Sequence, residues 1–158
     1  MLKLSNRLKA LTEYISAGAT VADIGTDHGF LPVYLAQTGL ARVIIASDIS
    51  TGSLNAALLT AGRFGVTDKI KFIVTPGLDG ISQTDADTIV IAGMGGETIL
   101  DILSNAPWTG CSGVKLILQP QSKIDVLFRF LYDNEYKVRE TKSVKDKGRY
   151  YTVALLGS

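Results

Sequence analysis

Among its 158 residues the chain has one cysteine, one histidine and one tryptophan, with only four prolines. A lone Cys111 closes no internal disulfide, which fits a reducing compartment best, expected to be the cytoplasm. With His28 the only imidazole, the Cys/His sets that hold zinc are missing, and no metal is expected. No apolar run approaches the roughly 18 residues of a membrane span, so no membrane partner is expected. Residues 1–10 carry Lys3, Arg7 and Lys9 and no continuous apolar stretch, unlike a secretory leader. An excess of one charge is lacking too, since the formal net charge is +1. The balance is uneven, however. Residues 1–101 hold 7 Lys/Arg against 10 Asp/Glu, and residues 102–158 hold 9 against 5. A basic end permits a phosphate-rich partner without requiring one, and a solvated basic face accounts for the charge equally well.

What is present is a regular alternation of elements. Leu4, Leu8, Leu11 and Ile15 recur at helical spacing, and Ser5 can cap the turn before them, which predicts an amphipathic helix over 5–16, closed near Gly18. Short apolar strands follow at 20–25, 42–48, 70–75, 88–92 and 114–118, separated by helices at about 30–37, 51–64, the segment from Gly96 to Pro107, and the Ile124–Leu131 stripe. Strands of this kind alternating with helices predict an α/β fold, a mostly parallel sheet covered on both faces. Residues 135–143 and 149–156 read as two further strands around the polar turn Lys145-Asp146-Lys147-Gly148, a terminal antiparallel hairpin that completes seven strands in one domain over 1–158.

Open α/β sheets bind ligands outside the carboxyl ends of their strands. The first such end reads Asp23-Ile24-Gly25-Thr26-Asp27-His28-Gly29. In a dinucleotide fingerprint a second glycine stands where Asp27 is, so that backbone can approach a pyrophosphate; a carboxylate there crowds and repels two phosphates. This departure argues against NAD or FAD and permits S-adenosyl-L-methionine, which has an amino-acid end, a sulfonium and an adenosine but no phosphate. Asp48 ends the second strand 23 residues after Gly25, near the spacing of about 20 expected of a ribose-binding acid; it can also serve as the N-cap of the next helix. Pro76-Gly77-Leu78-Asp79 follows strand three and suits either an adenine edge or an ordinary loop. In Gly93-Met94-Gly95-Gly96 three glycines allow backbone to pass close to a ligand, with Met94 a soft pocket wall or simply core.

The stretches Leu4-Ser5-Asn6-Arg7-Leu8, Val21 to His28, Ala92-Gly93-Met94-Gly95-Gly96 and Leu118-Gln119-Pro120 together resemble the bacterial tRNA adenine-N1 methyltransferases that modify position 22, over about residues 3–156. The resemblance implies a class I methyltransferase Rossmann-like fold, S-adenosyl-L-methionine as cofactor and tRNA as partner. It implies Asp27 as the catalytic acid beside the methyl donor, touching the target adenine. It further implies cofactor contacts from Asp23, Gly25, Thr26, His28, Asp48, Ile49, Gly77, Leu78 and Gly93, and substrate contacts from Arg7, Met94, Gly95, Gln119, Pro120 and Tyr150. Three departures stand out: Asn6 replaces a usual lysine, Gln121 replaces a usual asparagine, and the family's helical C-terminal domain does not follow the last strand.

Methyl transfer from a sulfonium is an in-line displacement onto a lone pair, so no nucleophilic side chain is required, and none is evident. Positioning is the main lever. His28 is read as structural, or as a contact to the methionine carboxylate, and not as a base. Phe30, Tyr34, Tyr150 and Tyr151 are the aromatics that can receive an extruded base, although core packing explains each as well. Only one of the alternating Tyr150 and Tyr151 can face the pocket. Arg7, Lys142, Lys145, Lys147 and Arg149 are the candidate phosphate contacts, and a monomer is expected. A methyltransferase for another substrate and a noncatalytic module binding S-adenosylmethionine or RNA are the rival readings.

Overall fold

The computed structural model describes residues 1–111 and 113–157. Seven strands form a single sheet in the order β3-β2-β1-β4-β5-β7-β6. They are β1 (Ala19–Ile24), β2 (Ala41–Asp48), β3 (Lys71–Val74), β4 (Thr88–Met94), β5 (Lys115–Pro120), β6 (Val138–Asp146) and β7 (Arg149–Leu156). Strands β1 to β5 pair in parallel, while β7 lies antiparallel between β5 and β6. Five α-helices intervene: α1 (Asn6–Thr12), α2 (Phe30–Thr38), α3 (Thr51–Arg63), α4 (Gly96–Ser104) and α5 (Ile124–Asp133). The Rossmann-like architecture expected of the sequence is the one observed.

The two-residue alternation of the strands sorts the core into two layers. Val21, Val90, Ile117 and Val153 face Leu11, Leu31, Leu35 and Ala61 of the first three helices. Ile24, Ile89, Ile91, Leu116 and Leu118 face Ile99, Leu103, Leu127 and Leu131 of α4 and α5. Each central strand therefore buries both faces, which is why its sequence runs almost continuously apolar. By the same alternation Asp23, next to Ile24, projects toward the α1–α3 layer.

Several boundaries differ from the periodicity. Helix α1 stops at Thr12, not residue 16, because Tyr14 N–H and Ile15 N–H donate to the carbonyls three residues back, at 3.2 and 3.0 Å. Ile15 is buried all the same, so its spacing mimics a helical turn. Glu135 (φ 61°) turns the chain out of α5, and the hairpin strand starts at Val138. It runs through Lys145 and Asp146 to a two-residue turn, Lys147-Gly148, at φ 51° and 79°. Two left-handed residues suit the twist of a tight hairpin. Strand β4 extends past Ala92 through a register shift at Gly93, and β5 extends to Pro120. The hairpin tip is tied to α1: Asn6 Nδ2 donates to the Lys145 carbonyl at 3.3 Å, and Arg7 N–H to Asp146 Oδ2 at 3.2 Å.

The first turn of α4 lies tight against the segment after β5. Gly96 N–H donates to the Ser122 carbonyl at 2.7 Å, and a Cβ on Gly96 would collide with the carbonyls of Ser122 and Lys123. Gly96→Ala is expected to destabilise the domain by about 1–3 kcal/mol, the usual cost of overpacking against fixed backbone. A urea melt measures it; an unchanged midpoint would show that the segment yields freely.

Candidate functional site

Strand order reverses between β1 and β4, the neighbours from which the chain winds out in opposite directions. Such a switch point opens a crevice at the strands' carboxyl ends. Here the crevice holds two cavities. One, of about 420 Å³, lies between the ends of β1, β2 and β3 and one face of α4, lined by Asp48, Ile49, Gly77, Leu78 and Ile102 among others. The other, of about 410 Å³, lies on the α1 side and is lined by Arg7, Asp23, Asp27, His28, Phe30 and Gly93 among others. Gly25, Asp48 and Met94 border both.

The loop after β1 is shaped by three residues with positive φ: Gly25 (72°), Asp27 (55°) and Gly29 (74°). Gly25 and Thr26 both donate their N–H to the Ser47 carbonyl at 2.9 Å, pulling the loop over β2. Gly29 has a packing reason as well, since a Cβ there would fall 2.8 Å from the Ala57 methyl. Asp27 N–H donates to Asp48 Oδ2 at 3.0 Å, and Ser50 N–H to Asp48 Oδ1 at 3.2 Å. Asp48 is therefore not the N-cap of α3; Ser50 takes that place, its hydroxyl accepting from Ser53 N–H. The Asp48 carboxylate instead fixes the left-handed backbone of Asp27 and presents its remaining lone pairs to the cavities. The Asp27 side chain is exposed on the second cavity. Its neighbour His28 stacks on Phe30, ring centres 5.5 Å apart.

Asp23 is 6% exposed, and its Oδ2 accepts the Thr26 hydroxyl at 2.9 Å. Burial pushes its carboxyl up to about 7, against the opposing pull of the Thr26 hydrogen bond and the Arg7 guanidinium; the nearby Asp48 adds to the rise. Among the described residues no basic nitrogen lies within ion-pair distance of it. Arg7 is held by Gln119, whose Oε1 accepts from the guanidinium at 2.8 Å and from Gly93 N–H at 3.1 Å. Gln119 Nε2 donates to the Pro120 carbonyl and to Gln121 Oε1. The second cavity thus holds a buried carboxyl and a fixed guanidinium that do not form an ion pair with each other, and the lining of the first is more apolar than polar. Together they suit a molecule with a nucleoside at one end and a zwitterion at the other.

Some expected contacts are placed elsewhere. Gln119 and Pro120 are buried and line neither cavity; the geometry gives Gln119 the task of holding Arg7. Gly95 precedes α4 and lines neither cavity; a Cβ there would lie 3.0 Å from Ser122 Oγ. Tyr150 is 71% exposed on β7 with Lys145 over its ring, while Tyr151 faces a groove of about 440 Å³ that adjoins the second cavity at Arg7 and Phe30. Lys142 is taken up by Glu13 at 3.1 Å and by the Tyr14 ring, which removes it from the free cations. Sequence reasoning missed Thr98, Asp101 and Asn105, which line the first cavity with Ile102. Their spacing along α4 marks a polar stripe beside the buried Ile99 and Leu103, a readable signal.

Among the described residues no helix is long and apolar enough to cross a membrane, and no cluster of three or more His, Cys, Asp or Glu residues could hold a metal ion. A family model described as a methyltransferase domain matches residues 4–154. The tRNA (adenine(22)-N(1))-methyltransferase of Bacillus subtilis is 36% identical over 152 residues, covering 96% of this chain and 64% of the relative. The crystal structure of the B. subtilis m1A22 tRNA methyltransferase superposes with a TM-score of 0.92 at 34% identity, covering 100% of this chain and 68% of that one. The M. capricolum TrmK structure, a complex with S-adenosyl-homocysteine, gives 0.85 at 29% identity, covering 98% and 68%. The chain spans less than two thirds of the length of the curated B. subtilis relative. On its sequence and its fold alike, the chain belongs to the methyltransferase-domain family and groups there with the tRNA (adenine-22 N1) methyltransferases.

Proposed function

We propose that the chain transfers a methyl group from S-adenosyl-L-methionine to N1 of adenine 22 in tRNA, with residues 1–158 as the catalytic domain, acting as a monomer in the cytoplasm. One observation carries this reading: two cavities meet over Gly25 and Asp48, one with Leu78 and Ile102 in its wall, the other holding Asp23 and Arg7. The residues fit the donor. Asp48 would hold the ribose hydroxyls, Leu78 and Ile102 would cover the adenine, Asp23 would take the ammonium and Arg7 the carboxylate. Arg7 thereby serves the cofactor in this reading, and not a phosphate of the tRNA. When bound, the donor supplies an electrophilic methyl on a sulfonium.

The remaining work falls to the chain's own groups. Asp27, exposed at the cavity wall, accepts a hydrogen bond from the exocyclic amine of the target adenine and stabilises the positive charge that spreads there as N1 is alkylated. The stacked His28 and Phe30 offer a face for a base drawn out of its stack. Lys147 lines the groove beside this mouth, and Lys145 and Arg149 flank it on the exposed hairpin, where tRNA phosphates would lie.

Incubating the protein with S-adenosylmethionine and unmodified tRNA, then digesting to nucleosides for mass spectrometry, is expected to yield 1-methyladenosine. A tRNA with guanine at position 22 is expected to yield none. Binding of the donor without any incorporation would leave a noncatalytic module; equal methylation of the variant tRNA would overturn the position.

A further inference from the structure

The Gly93-Met94-Gly95-Gly96 backbone is pinned from one side by the end of β5 and the segment that follows it. Gly93 N–H donates to Gln119 Oε1 at 3.1 Å, the Met94 carbonyl accepts from Gln121 N–H at 2.7 Å, and Gly96 N–H donates to the Ser122 carbonyl at 2.7 Å. Of this run only Met94 carries a side chain, half-buried against the α4–α5 core layer. Its ε-methyl lies directly over Gly25, on the space a Cβ of that residue would occupy, with the sulfur 3.8 Å from the same point. Gly25 and Met94 are also two of the three residues that border both cavities.

We infer that the Met94 side chain is a gate between the two cavities, displaced by any ligand that spans them and left in its place by one that fills the nucleoside cavity alone. The inference rests on the proposed donor, since that molecule must bridge the crevice at its sulfonium. The chemistry of the gate suits the task. An unbranched thioether with three rotatable bonds moves between rotamers at little cost and remains in contact with apolar surroundings in each. Gly25 supplies the complementary half, because any side chain there would both strain a φ of 72° and fill the passage. Met94 thus stands where a donor spanning both cavities would cross, and the hydrogen bonds with Gln119, Gln121 and Ser122 hold the backbone around it still.

Two measurements test this on the protein as it stands. The chain has two methionines, so ε-13C-methyl labelling gives two resonances, assigned by the Met94→Leu variant. Adding S-adenosylhomocysteine is expected to shift the Met94 methyl strongly, and saturating adenosine to leave it nearly in place. In calorimetry, Met94→Ala is expected to tighten S-adenosylhomocysteine by about tenfold, with adenosine affinity changed less than about twofold. Met94→Leu, stiffer but similar in volume, is expected to bind S-adenosylhomocysteine no tighter than the wild type. If S-adenosylhomocysteine binds while the Met94 methyl stays put and Met94→Ala affects both ligands alike, the gate is wrong and the donor reading survives. If the wild type binds no S-adenosylhomocysteine, both fall together.

Discussion

Asp27→Asn is expected to lower methyl transfer to tRNA by about 10²–10⁴-fold, the range by which a positioned acid–base group accelerates a reaction, while the Kd for S-adenosylmethionine moves by less than about threefold. Asparagine is the sound replacement because Asp27 sits at φ 55°, a left-handed conformation that asparagine tolerates and alanine does not. The backbone hydrogen bond from Asp27 N–H to Asp48 survives the change, so the loop and the ribose acid stay in place. What is removed is the negative charge at the exposed end of the side chain. Neutral oxygen still accepts a hydrogen bond from the adenine amine but no longer balances the charge that grows on the base. Single-turnover rates with saturating donor, set beside donor titrations, separate the two quantities. Loss of donor affinity with normal turnover of the bound complex would make Asp27 a cofactor ligand alone.

The parts of the fold that could be read in advance were those imposed by burial. Strands such as Ile89 to Ile91 and Leu116 to Leu118 have both faces covered, and only apolar side chains suit both layers. The loop residues were legible for another reason: Gly25, Asp27 and Asp48 depart from or complete a pattern whose physical purpose is known. Side-chain direction was not legible. Gln119 appears in a motif and so looked like a substrate contact, but its strand position turns it inward, where its amide holds Arg7 and Gly93. Tyr150 and Tyr151 differ by one residue, and a one-residue choice of register decides which of them faces the groove. The fate of Lys142 depended on Glu13, 129 positions away, a pairing no local pattern contains. The run Gly93-Met94-Gly95-Gly96 suggests room for a ligand on sequence alone, whereas Gly96 makes room for the carbonyls of Ser122 and Lys123.

Asp23 carries the second large expectation, because one carboxyl sets both the stability of the protein and its hold on the donor. Burial raises it from 3.8 to about 7. Below pH 4 the carboxyl is protonated in the folded and the unfolded chain alike, and its favourable contribution is complete. As pH rises from about 4 to about 7 the unfolded chain releases this proton first, so stability is progressively lost, and above 7 the loss is constant. A rise from 3.8 to about 7 corresponds to roughly 4 kcal/mol at most, an upper bound because Asp23 lines a cavity that water can enter. Asp23→Asn keeps an acceptor for the Thr26 hydroxyl and removes the ionisation. The variant is therefore expected to unfold at higher denaturant than the wild type at pH 8, with the gap closing toward pH 4 as the wild-type carboxyl is neutralised in both states. Donor binding is expected to respond oppositely. An ammonium binds the ionised carboxylate, so wild-type affinity for S-adenosylmethionine should fall about tenfold for each pH unit below about 7, and Asp23→Asn should bind weakly with no such slope. A cost in folding free energy at neutral pH is what leaves a charged, underpaired carboxylate available to a cationic ligand. Parallel pH profiles for the two proteins settle it: a wild-type affinity flat from pH 8 to 5.5 would mean that Asp23 does not meet the ammonium.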